Sequence, residues 1–255
     1  TPERLEKRIF KAVGSAIGDY NMIEEGDKIM VAVSGGKDSW VMLHVLNELR
    51  KKAPVNFEIM AVNLDQGYEG FETRKIEEYL EAQGIAFHMA FKDINSIVRE
   101  KNQDEALWCS LCSRLRRGSL YGLATELKCN KIALGHHQDD MIETLLLNTF
   151  FVGKLAAMSP KLRADDGEHI IIRPLIYVLE SEIREYTKQK QFPVVCCQCP
   201  LMCGESVHGD HKRRRIKQLI GQLEKEIPDI RNSMLASLKN VSPTHVLDKK
   251  LWSFE

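Results

Sequence analysis

Lys28-Ile29-Met30-Val31-Ala32-Val33-Ser34-Gly35-Gly36-Lys37-Asp38-Ser39 decides the fold of this chain. An apolar run, Ile29 to Val33, breaks into two glycines, and apolar residues then recur at Trp40, Val41, Leu43, Val45, Leu46 and Leu49. That order predicts strand, tight loop and helix. Glycines let backbone N–H groups approach a ligand closely, and a helix start presents unpaired donors and the positive end of its dipole. Lys37 adds a point charge, and Ser34 and Ser39 add hydroxyls, so the loop reads as an anion site. Asp38 suits either a metal bridging phosphates or a cap for the helix start.

The spacing is not that of a Walker A loop, which places four residues between its glycine and its Gly-Lys pair. The string Ser34-Gly35-Gly36-Lys37-Asp38-Ser39 resembles SGGxDS, the PP-loop of the ATP pyrophosphatases. That resemblance implies cleavage of ATP between its α- and β-phosphates, with AMP transferred to a substrate oxygen.

Strand and helix patterns alternate beyond the loop. Helical spacing covers residues 5–23, and strands are expected over 57–64, 85–90, 131–134 and 169–175. Helices are expected over 69–83, from the Trp108 region to Leu127, after Asp140, over 180–189, over 211–225 and over 230–238. This predicts an α/β fold, a doubly wound and mostly parallel sheet, with an N-terminal helix (1–27) and a helical C-terminal segment (196–255) flanking an ATP-binding domain (28–195). Ligands on such sheets sit beyond the carboxyl ends of the strands, which places Asp65 near a nucleotide unless it only serves its own turn.

At 255 residues and 44% hydrophobic, the chain can bury a full core. Its 36 basic and 36 acidic residues create no global field toward nucleic acid, so RNA contact would use local patches. No apolar run approaches a membrane span, and the first residues lack a signal-peptide pattern, so a cytoplasmic protein is expected. Seven cysteines, six of them in two tight groups, favour metal or redox chemistry over a disulfide scaffold. Cys129, in a leucine-rich helix end, reads as a plain buried thiol.

Two constellations carry chemistry. Gly135-His136-His137-Gln138-Asp139-Asp140 follows the fourth strand, and either Asp139 or Asp140 suits Mg²⁺ at the phosphates or a helix cap. Cys109-x-x-Cys112 suits a redox pair, a zinc half-site or part of an iron–sulfur cluster, with Cys196, Cys197, Cys199 and Cys203 able to complete it.

Taken in order, SGGKDS, CxxC, GHHxDD with ETLLLN, Arg173-Pro174-Leu175, and Phe192-Pro193 before a cysteine-rich Cys-Gly resemble the TtcA-type tRNA-cytidine 2-sulfurtransferases. The resemblance spans roughly residues 5 to 255. It implies a [4Fe–4S] cluster on three cysteines: Cys109, Cys112 and a third, for which Cys203, preceding a glycine, is favoured and Cys199 is the alternative. It implies ATP and Mg²⁺ at Ser34, Gly35, Gly36, Lys37, Asp38, Ser39, Asp65, Gly135, His136, Asp139 and Asp140. Lys37, Asp38 and Asp139 are the expected catalytic residues. Arg114, Arg116, Arg117, Lys212, Arg213, Arg214 and Arg215 are the expected RNA contacts, unless they form only solvated helix faces. The expected partners are tRNA, a sulfur donor such as a cysteine desulfurase, and a second copy of the chain. Related thiouridine synthetases, which carry zinc fingers at their ends, are the alternative within this fold, less favoured because no CxxC pair lies near either end of this sequence. A zinc-loaded, non-catalytic ATP-binding module is the rival from another class.

Overall fold

The apolar run before the glycines becomes β1 (Asp27–Ala32), and Ile29, Met30 and Val31 are fully buried. A strand covered on both faces needs such a run, and β1 sits centrally in a six-stranded sheet. In this computed structural model, which describes residues 1–101, 108–199 and 211–252, the strand order is β3-β2-β1-β4-β6-β5. The other strands are β2 (Phe57–Asp65), β3 (Phe87–Phe91), β4 (Lys131–Ala133), β5 (Lys161–Arg163) and β6 (Ile170–Ile172). Ile29 pairs with Ile59 on one side and with Lys131 on the other, both in parallel register. Among the described residues, only β5 runs antiparallel, at the edge beside β6.

The chain winds outward from β1 to β2 and β3, then returns to place β4 and β6 on the opposite side. The order therefore reverses between β1 and β4, and loops leaving those two strands open a crevice there.

The chain divides into two compact units, Thr1–Gln138 with Ser159–Gly209, and Asp139–Met158 with Asp210–Glu255. In the first, α2 (Lys37–Leu49) buries Trp40, Val41, Met42, Leu43, Val45 and Leu46, so it is covered nearly all round. It packs against α7 (Glu180–Lys190) and α1 (Pro2–Asp19), whose buried stripe is Leu5, Ile9, Val13 and Ala16. Arg8 pairs with Glu182, and Lys190 lies 2.9 Å from Glu6, tying the outer two helices together. Burial, aided by Lys190, pushes the pKa of the His44 imidazole down where its ring packs among Phe10, Tyr186 and Phe192.

On another part of this unit, α4 (Ile94–Lys101) and α5 (Trp108–Glu126) close over Met30, Val62, Leu64 and Ile132. Trp108, Leu111, Cys112 and Leu115 lean on that cluster, so the CxxC is seated on the sheet's core. The first unit also contains α3 (Thr73–Ala82).

The second unit holds most of α6 (Gln138–Phe151), with α8 (His211–Glu226) and α9 (Ile230–Ser237). Its core is Ile142, Ile216 and Ile220, joined by Leu146, Leu147 and Met234.

Three local features depart from the sequence reading. The strand expected over 169–175 stops at Ile172, because Pro174 lacks the N–H a further ladder bond would need. The edge strand β5 and helix α4 carry too few periodic positions to register, and tertiary packing makes them. Helix α3 starts at Thr73 rather than near residue 69, behind a turn whose Gly70 has φ +79°.

Candidate active site

The loop after β1 is built to expose backbone. Gly35 has φ +82°, and a Cβ there would lie 2.1 Å from Val195 Cγ2. Its carbonyl accepts from Val195 N at 3.0 Å, so this glycine lets the segment after α7 close directly on the loop. Gly36 is the N-cap of α2, without side-chain capping. Ser39 Oγ donates to Gly36 O at 2.8 Å, and Gly36 N donates to Ser34 Oγ at 3.4 Å. The loop is thus held from within by its own hydroxyls.

Asp38 is not the helix cap. It occupies the first turn, where its carboxylate takes Lys37 Nζ at 3.0 Å and lies 3.7 Å from His137 Nε2. Lys37 also reaches Glu180 Oε1 at 3.2 Å, at the start of α7. Burial alone would push the Lys37 ammonium down, but Asp38 and Glu180 outweigh it and hold the pKa above the ordinary lysine value. Gly135, on the loop after β4, lies so close that a Cβ there would be 3.2–3.4 Å from the Asp38 and Ser39 backbone. This is the crevice that the strand order opens.

One cavity of about 550 Å³ continues from the loop. Ser34, Gly36, Lys37 and Asp38 line one part of it, and Cys109, Cys112, Cys196, Cys197 and Cys199 line another. Tyr68, Phe71 and Trp108 supply aromatic walls, and Arg116 supplies a cation. Burial first, then the neighbouring Cys112 and Cys199 sulfurs, push the Tyr68 hydroxyl up. Burial pushes the Cys112 thiol up, opposed by the nearby Arg116 guanidinium and Tyr68 hydroxyl. Cys112 Sγ also donates to Gln66 Oε1 at 3.4 Å. The CxxC and the second cysteine group, distant in sequence, therefore share a wall.

A PP-loop domain family matches residues 3–195. The tRNA-cytidine(32) 2-sulfurtransferase of Geotalea uraniireducens (strain Rf4) is 53% identical over 249 residues, covering 98% of this chain and 97% of that protein. The chain belongs to the tRNA-cytidine(32) 2-sulfurtransferase family. The Syntrophotalea carbinolica member is 50% identical over 252 residues, 99% of this chain and 96% of its own length. Among solved structures, the fold is similar to the U34-tRNA thiolase NcsA from Methanococcus maripaludis, determined with its [4Fe–4S] cluster. The TM-score is 0.72 at 25% identity, over 95% of this chain and 82% of that one.

Within this sulfurtransferase fold, the expected site residues are distributed as follows. Ser34 to Ser39 form the loop and the first turn of α2, with Gly135 and His137 against them. His136 Nδ1 accepts from Arg173 Nε at 3.1 Å. Asp65 Oδ1 accepts from Gly67 N at 2.9 Å and so shapes its own turn; its neighbour Gln66 lines the cavity instead. In the second unit, Asp139 is buried and bonded to Arg231, and Asp140 lies 3.5 Å from Arg213. Arg213 also pairs with Glu143 at 2.9 Å, and burial pushes that carboxyl up despite the arginine. Arg114, Arg116 and Arg117 are exposed along α5, with Arg117 2.8 Å from Asp165. Cys203 lies outside the described residues. Among the described residues, no three His, Cys, Asp or Glu side chains already form a metal-sized cluster. Cys129 is buried and away from the cavity lining, and burial pushes its thiol up.

Sequence reasoning missed Tyr68, Gln66 and Glu180. Tyr68 and Gln66 follow the strand β2 directly, and the rule that ligands meet strand ends could have found them. Glu180 carried no signal, because its role depends on α7 packing beside α2.

Proposed function

We propose that this chain uses ATP to activate the C2 oxygen of a cytidine in the tRNA anticodon loop and replaces that oxygen with sulfur. The observation that carries this reading is the single cavity shared by the PP-loop and the cysteines. Phosphate handling and sulfur chemistry have little reason to share a wall unless one substrate atom meets both.

The C2 oxygen of cytosine is a poor leaving group. Its attack on the α-phosphorus expels pyrophosphate and leaves AMP on the oxygen. Sulfur then bonds to C2, and AMP departs with the oxygen, giving 2-thiocytidine. The N–H groups at the start of α2 and the Lys37 ammonium stabilise the charge that builds on the phosphates. Lys37 exchanges its carboxylate partners for phosphate oxygens when ATP enters. Asp38 is the loop carboxylate that would hold Mg²⁺ with the triphosphate. Tyr68, Phe71 and Trp108 offer ring faces to the flipped-out base.

The thiol donors fit an iron–sulfur group. Cys109 and Cys112 would hold a [4Fe–4S] cluster with one cysteine of the second group, Cys203 on sequence grounds or Cys199 on its place in the cavity. Bound there, the cluster supplies sulfur in nucleophilic form beside the activated carbon. Arg114, Arg116 and Arg117, with Lys212 to Arg215, serve as phosphate contacts for tRNA. A cysteine desulfurase as sulfur source, a cytoplasmic setting and a homodimer complete the reading.

The test is tRNA-dependent pyrophosphate release by wild type and Lys37→Ala. The wild type should release pyrophosphate only with tRNA present, and Lys37→Ala should keep its iron yet release about 100-fold less. Equal release by the two proteins would contradict the assignment of the loop.

A further inference from the structure

In the second unit, Phe150 and Phe151 end α6 with 55% and 43% of their surfaces exposed. They line a groove of about 550 Å³ with Arg215, Gln218, Leu219 and Gln222 of α8. With Val152 and Leu155 just beyond them also exposed, the two adjacent phenylalanines form a contiguous apolar patch at the end of α6. Their surroundings say what covers them. Lys212 Nζ sits 5.1 Å from the centroid of the Phe151 ring, and Arg214 and Arg215 are exposed on the same helix. The acids of this unit that face α8 and α9 are engaged: Asp140 and Glu143 with Arg213, Asp139 and Glu224 with Arg231. The end of the groove nearest the start of α8 is therefore positively charged, while Glu226 lies one turn beyond Gln222 at the other end.

We infer that this groove is a base-stacking surface for tRNA, with Phe150 and Phe151 taking unstacked bases and Lys212, Arg214 and Arg215 taking the phosphates. Single-stranded RNA is the ligand that joins flat apolar faces to a regular row of negative charge. Gln218 and Gln222 at the groove edge add amides that can meet base edges. A second copy of the chain fits less well, because a two-fold contact would set this cationic row against itself. The inference rests on the proposed tRNA reading and adds aromatic contacts to it.

The experiment is titration of the full chain with its tRNA substrate at several salt concentrations, beside sedimentation of the protein alone. Phe151→Ala should bind tRNA roughly ten-fold more weakly, within the range for losing one base–aromatic stack, with the salt slope unchanged. Phe151→Trp should hold wild-type affinity. Phe151→Leu, which keeps bulk and fold but lacks a ring face, should behave like the alanine variant. Arg215→Ala should lower the salt slope by about 0.7–0.9. Wild-type affinity in Phe151→Leu would overturn the inference. So would a change in sedimentation of the RNA-free variant, which would give the groove to a second copy. Failure of the wild type itself to bind tRNA would instead sink the proposed function.

Discussion

Lys37 Nζ lies 3.2 Å from Glu180 Oε1, so the lysine of the PP-loop is held by a carboxylate from a helix more than a hundred residues later. With Asp38 at 3.0 Å, the ammonium is already matched by two negative charges before any phosphate arrives. Glu180 therefore competes with ATP for Lys37. Glu180→Gln should tighten ATP binding roughly two- to five-fold, the range set by a partly exposed ion pair worth up to about 1 kcal/mol. The same change should lower thermal stability slightly, since Glu180 also sits in the first turn of α7, where the helix dipole favours an acid. Calorimetric titration and a thermal melt separate the two effects. Weaker ATP binding would mean that Glu180 positions the lysine rather than restraining it.

Two glycines should respond oppositely to alanine. Gly35→Ala forces a side chain into a left-handed backbone and against Val195, so it should cost about 2–4 kcal/mol and remove ATP binding. Gly14, in the middle of α1, has open space around its Cα and an ordinary helical φ. Gly14→Ala should raise stability by about 0.5–1 kcal/mol and leave ATP binding alone. Denaturant unfolding of both variants checks the pair.

Most of the first unit was legible because its signals are local. The run Ile29–Val33 and the glycines after it announce a central strand and an anion loop in twelve residues. The CxxC and the ordered motifs point to the family. What the sequence could not carry is convergence. That Cys112 and Cys199 line one cavity with Tyr68, or that Val195 closes on Gly35, depends on how helices cross the sheet. Asp38 shows the same limit. Its type and position fit a helix cap, yet Gly36 takes the cap position, and Asp38 turns to Lys37 and His137.

The cysteines should separate into ligands and bystanders. Cys109→Ala and Cys112→Ala should each lose iron after anaerobic reconstitution, while Cys129→Ala should keep it, because that thiol is buried against a helix end. Cys203→Ala should lose iron and thiolation together and Cys199→Ala should keep both; the reverse pattern moves the third ligand to Cys199. Iron and acid-labile sulfide assays read the outcome.

At the amino end of the sheet, Lys131 is 3% exposed and lies 2.6 Å from both Asp27 and Glu24. Burial would raise the Asp27 pKa, but the bonds from Lys131, the Glu24 N–H and Asn130 win and hold it below its ordinary 3.8. A depressed carboxyl gives stability that is complete above pH 3.8 and is lost as pH falls through the folded-state value. Asp27→Asn should remove this part of the acid sensitivity below pH 3.8. At neutral pH it should cost about 3 kcal/mol, because it leaves a buried ammonium with one exposed partner. Thermal melts between pH 2.5 and 7 test both parts.

The central claim is that one cavity activates a cytidine with ATP and gives it sulfur. Its most direct test is mass spectrometry of nucleosides from tRNA incubated anaerobically with the iron-loaded protein, ATP, Mg²⁺ and sulfide. The account predicts 2-thiocytidine, formed only when ATP is present and absent with Cys112→Ala. Thiolated uridine in its place, or 2-thiocytidine formed without ATP, would contradict it.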